Sequence, residues 1–69
     1  MNTFGQKIRS FRETDNLLLR EVAAAIEIDQ ALLSKIERSE RIATKKQVLA
    51  LSDFFGADTK ELLTLWLGE

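Results

Sequence analysis

A chain of 69 residues, 45% apolar and 30% charged, has the composition of one small domain near the lower size limit for a self-sufficient core. It contains no His, Cys or Tyr, which removes the commonest general base, the thiol nucleophile and the usual zinc ligands together, so neither an enzyme nor a metal or cofactor site is expected. Its formal net charge of −1 gives no overall attraction to a polyanion, and no stretch approaches the ~18 apolar residues of a membrane span or follows the pattern of a signal peptide.

Pro is absent, Gly is scarce and no run alternates Val, Ile or Thr, so the predicted fold is all-α, with five helices. The run "TFGQ" at residues 3–6 has the spacing of a capping box. It opens a first helix with Phe4, Ile8 and Phe11 on one face, ending near Asp15 and Asn16, Asn being suited to a left-handed C-terminal position. A second helix spans about Leu19 to Ile26, burying Val22, Ala23 and Ile26, and its start at Leu18 has no side-chain cap. A third follows Asp29, a good N-cap, with Leu33 and Ile36 directed inward. "TKKQ" at 44–47 is a second capping-box spacing, opening a helix striped by Val48, Leu51 and Phe55 and stopped by Gly56. "DTKE" at 58–61 is a third, opening a helix that carries Leu62, Leu63, Trp66 and Leu67.

Residues 19–38 have the layout of a helix-turn-helix. Ala23 is small where two helices must cross closely, Glu27 stands at the turn, and apolar Ile28 plugs the junction. Asp29 then caps the next helix, which Leu33 and Ile36 anchor. With "FGQKIRSFRE" at 4–13, "REVAAAIEIDQALLSKIERSER" at 20–41 and "QVLALSDFFGADTKELL" at 47–63, the chain resembles the lambda-repressor-like family of phage repressors, Cro proteins and Xre-type regulators. The resemblance covers nearly the whole chain. It implies one compact five-helix domain over residues 1–69, or the N-terminal part of a slightly longer chain.

The resemblance further implies a transcriptional regulator that binds double-stranded DNA sequence-specifically, as a homodimer on a near-palindromic operator, in a bacterial or phage-infected cytoplasm. The third helix, about 29–38, becomes the recognition helix in the major groove. Gln30, Ala31, Ser34 and Lys35 are then the base-contacting candidates: Gln30 suits adenine, Lys35 suits guanine O6 and N7, and Ala31 suits a thymine methyl. Arg20, Arg38, Arg41, Thr44, Lys45 and Lys46 are candidates for phosphate, the last two at a helix start that already favours an anion. Arg12 and Glu37 occupy the places of the family's ion pair between the first and third helices, a structural pair rather than a DNA contact.

The chain departs from the family pattern at three places. Leu19 replaces the usual Gln that opens the second helix, Glu27 replaces the usual Gly of the turn, and Arg38-Ser39 replaces Asn-Gly. A left-handed Glu27 costs of order 1 kcal/mol, and its charge argues for a corner turned away from DNA. Leu49, Phe54, Leu65, Trp66 and Leu67 exceed what the internal stripes require, which marks Phe54, Leu65, Trp66 and Leu67 as the candidate dimer surface. No small-molecule ligand is indicated. The net acidity and Leu19 leave an alternative of a different class: a helical protein-interaction module, or an antitoxin-type partner protein, that keeps the fold with weak or no DNA binding.

Overall fold

The computed structural model describes residues 3–68. They form five helices: α1 (Phe4–Thr14), α2 (Leu19–Ala25), α3 (Gln30–Glu37), α4 (Lys45–Phe55) and α5 (Thr59–Leu67), with no strand among the described residues. α1 packs on α3 and α5, α2 on α3, and α4 on α5. The inward stripes meet in one core of Phe4, Ile8, Val22, Leu33, Ile36, Val48, Leu51 and Leu62, each essentially inaccessible to water. Leu19 and Ile28 are half-buried against it. At Leu19 the side chain therefore serves packing.

The helix starts follow the expected capping chemistry at two of four places, and Asp29, expected to cap α3, makes no side-chain capping hydrogen bond. The Thr3 hydroxyl accepts the Gln6 N–H at 3.1 Å while the Gln6 amide oxygen accepts the Thr3 N–H at 3.0 Å. Thr44 and Gln47 repeat this at 3.2 and 2.9 Å. The box expected at 58–61 does not close: the Asp58 carboxylate accepts the Lys60 N–H instead, at 3.0 Å, so Glu61 is free to pair with Lys7 across the α1–α5 contact at 3.1 Å. Leu18 offers no side-chain acceptor to α2, but its own N–H donates to the Glu21 carboxylate at 2.8 Å.

Four helices end in the same way. Asn16, Glu27, Ser39 and Gly56 all take a left-handed conformation, with φ of 55, 60, 61 and 62°. The N–H after each reaches back to close a six-residue loop, as in Leu17 to Arg12, Ile28 to Ala23, Glu40 to Lys35 and Ala57 to Ser52. These bonds satisfy carbonyls that would otherwise be stranded at the helix end. Only one of the four positions is glycine. Glu27 is left-handed, and it and Ser39 each carry a strain of about 1 kcal/mol. Ser39 is held by its hydroxyl, which lies 3.1 Å from that of Thr3.

Two contacts fix α3 against α1. Arg12 spans the crossing with a bidentate pair to Glu37, Nε to Oε2 at 2.8 Å and Nη2 to Oε1 at 3.0 Å, and its Nη1 donates to the Leu17 carbonyl at 3.0 Å. The Glu37 side chain is only 4% exposed. The hydrogen bonds that the guanidinium donates to Glu37 hold its pKa above the ordinary arginine value, outweighing the opposing effect of burial. Gly5 is the second contact. A Cβ there would lie 2.7 Å from the Glu37 carbonyl oxygen and closer still to that of Ile36, so the α1 backbone rests directly on the end of α3.

Candidate nucleic-acid interface

α3 has eight residues and an axial rise of about 12 Å, long enough to present one short row of side chains. Leu33, Ile36 and Glu37 are taken by the core and the ion pair. The face left over carries Gln30, Ala31 and Lys35, all exposed, with Ser34 half-buried beside them. The sequence periodicity identifies the same residues, because a helix with two inward anchors three residues apart leaves only the opposite side to solvent.

The segment after α3 is rich in exposed basic residues. Arg38, Arg41, Thr44, Lys45 and Lys46 are exposed, and so is Arg20 on α2. Thr44 spends its hydroxyl on capping α4, and Lys45 and Lys46 stand in that helix's first turn, where the N-terminal end of the dipole is positive. The loop is tied to the rest of the domain from behind: the Trp66 indole N–H donates to the carbonyl of buried Ala43 at 2.6 Å. Nothing in the sequence pattern points to this bond, since an indole donor carries no periodic signature.

Charge pairing divides the basic residues into two sets. Lys7, Arg9, Arg12 and Arg38 have carboxylate partners, at Glu61, Glu13, Glu37 and Glu40. Among the described residues, no ion pair engages Arg20, Lys35, Arg41, Lys45, Lys46 or Lys60. Five of those six lie on α3, on the loop and α4 start that follow it, or at the start of α2. The Arg38–Glu40 pair is 3.4 Å long with both side chains more than half exposed, a contact too weak to withhold Arg38 from another anion.

Carboxylates are not all remote from this region. Glu40 sits within the basic loop, and Glu27 borders a groove of about 400 Å³ that it shares with Ile28, Thr44, Lys46 and Gln47. The turn of the helix-turn-helix and the start of α4 are therefore neighbours, so charge at Glu27 and Lys46 partly cancels at that corner.

Of the residues expected to form a dimer surface, Phe54 and Leu67 are exposed, at 41% and 75%. Leu65 and Trp66 are half-buried against the core. Phe54 rests edge-on against Phe55, with ring centroids 5.0 Å apart, and Phe55 in turn stacks on Phe11 at 5.5 Å. Leu49, Ile42 and Leu18 are also exposed, at 43%, 64% and 51%.

Among the described residues no helix is long and apolar enough to cross a membrane, and no group of three potential ligands gathers for a metal ion. No curated protein and no solved structure significantly matches the chain. A family model described as a helix-turn-helix domain matches residues 3–65, a span that takes in all of α1 to α4 and most of α5. The chain belongs to the helix-turn-helix domain family, and with it to the DNA-binding proteins of the all-α class.

Proposed function

We propose that this protein is a sequence-specific transcriptional regulator of the lambda-repressor-like kind, acting in the cytoplasm on duplex DNA with α3 in the major groove. The observation that carries the proposal is the distribution of unpaired positive charge: Arg20, Lys35, Arg41, Lys45 and Lys46 form no ion pair among the described residues. Gln30, Ala31, Ser34 and Lys35 contact base edges, while Arg20, Arg38, Arg41, Thr44, Lys45 and Lys46 contact phosphates. Net charge is a poor guide here, because it sums over the whole chain, whereas five of the six unpaired cations lie on α3 or at its flanks.

The working unit is a homodimer. One protomer measures 26 × 24 × 22 Å, whereas major-groove faces on the same side of B-DNA recur about every 34 Å. A single copy with one recognition helix reads one half-site only. The exposed Phe54 and Leu67 supply apolar surface for a two-fold contact.

Selection of bound sequences from a random duplex pool tests the assignment. Two inverted half-sites with centres about 10 base pairs apart are expected; enrichment of isolated, unpaired half-sites contradicts the dimer. Lys35→Ala is expected to relax one position of the selected site, at a cost of about 1–3 kcal/mol. Lys46→Ala is expected to weaken binding to all sequences alike. If both variants alter affinity without altering sequence preference, the base-reading role of α3 fails.

A further inference from the structure

Asp29 stands at the N-cap of α3, and its carboxylate is unused. The backbone has the extended conformation of a cap, with φ −70° and ψ 140°, yet the side chain makes no capping hydrogen bond. It is exposed and has no hydrogen-bond or ion-pair partner among the described residues. This sets it apart within its own chain: Thr3, Thr44 and Asp58 each accept an N–H from the helix they precede. Asp ranks among the best capping residues, so its freedom here needs another account.

We propose that Asp29 determines specificity by accepting a hydrogen bond from the exocyclic amino group of a cytosine. The proposal rests on the reading of α3 as the recognition helix, whose N-terminal residues enter the major groove. A carboxylate carried there is repelled by phosphates and loses water, and only a base-edge donor compensates it. The major-groove edges of guanine and thymine present acceptors at that level, and both repel an anion. Adenine offers its N6 amino group but sets the N7 acceptor beside it. Cytosine offers N4 with no neighbouring acceptor. Asp29 thus acts chiefly by penalty: half-sites without cytosine opposite it bind less tightly, by roughly tenfold for each half-site. Its short side chain, one residue before Gln30, places that cytosine next to the base read by Gln30.

The test is sequence selection from a random duplex pool with the wild-type chain, Asp29→Asn and Asp29→Ala, each first checked for helical content by circular dichroism. The wild type is expected to fix a C·G pair at one position of the half-site. Asp29→Asn, which pairs bidentately with adenine N6 and N7, is expected to change that position to A·T and leave the rest intact. Asp29→Ala is expected to lose preference there alone and to gain affinity for unrelated DNA. An unchanged site in folded variants overturns the role of Asp29 while leaving α3 as the recognition helix. A wild-type chain that enriches no sequence overturns both. Asp29→Asn keeps the size and capping capacity of the native residue, so it decides the matter even if Asp29→Ala does not fold.

Discussion

Replacing Arg12 by Ala is expected to remove roughly half of the domain's stability. The substitution removes both donors from the Glu37 carboxylate, whose side chain is 4% exposed, and one donor from the Leu17 carbonyl. Stranding one partner of a buried pair costs about 3–5 kcal/mol. A domain of this size has only roughly 4–10 kcal/mol in total. The double variant Arg12→Met with Glu37→Leu is expected to recover most of the loss, because a well-packed apolar pair replaces a buried ionic one at little or no cost. Thermal melts of the two single variants and the double variant give the coupling directly; additive losses contradict the pairing. The guanidinium pKa is raised in the folded state, so its contribution is fully present below the ordinary arginine value and is lost only as pH rises above it. No loss of stability from Arg12 titration is expected through neutral pH.

Gly5→Ala is expected to have the second largest effect, and its direction is opposite to that of intrinsic propensity. Alanine in a helix interior is favoured over glycine by about 1 kcal/mol. At Gly5 the added methyl group would lie within 2.7 Å of the Glu37 carbonyl oxygen, a backbone atom that moves only if the whole end of α3 moves. Overpacking of this kind costs typically ~1–3 kcal/mol and sometimes more. With two backbone oxygens crowding the methyl group, the cost lies at the upper end of that range, and the net loss is about 2 kcal/mol, or roughly 10 °C in Tm for a domain of this length. An unchanged or raised Tm would show that α1 and α3 are not in backbone contact at this point. Both substitutions act at one crossing, the one that sets the angle of α3 to the rest of the domain.

Much of this is legible in the sequence, for reasons that differ by residue. Thr3 and Thr44 are readable as caps because a capping box is a local device: its donors and acceptors lie within four residues of one another. Asp58 shows the limit of that logic. Its spacing fits a box, but Glu61 has a competing partner in Lys7, which local spacing does not reveal. The left-handed turn at Glu27 follows from its place between two apolar-striped helices, whereas Ser39 is stabilised by a hydroxyl 36 positions away. Arg12 and Glu37 are 25 residues apart, and only family resemblance pairs them. Gly5 gives one faint signal, a helix-weakening residue inside a helix, and Ala23 gives a different one, a small residue where two helices must cross closely. Trp66 reads as surplus apolar area, and its half-buried position and bond to Ala43 come from tertiary packing. On the interface itself, periodicity suffices to place Gln30, Ala31, Ser34 and Lys35 opposite the buried face. The freedom of the Asp29 carboxylate is visible only once the other helix starts are compared with it.

The central claim, that the exposed cations flanking α3 meet the phosphates of duplex DNA, is tested most directly by affinity as a function of salt. The five cations assigned to phosphates in each protomer, Arg20, Arg38, Arg41, Lys45 and Lys46, predict a slope of log affinity against log salt near −4.5 for each protomer engaged. Each half-site then weakens by roughly 500-fold between 50 and 200 mM salt. Steep salt dependence that is reduced by about one unit per protomer in Arg41→Ala, Lys45→Ala or Lys46→Ala is the predicted result. No detectable binding at about 50 mM salt, or binding indifferent to salt, would contradict the claim and favour a helical module that keeps the fold to bind protein instead.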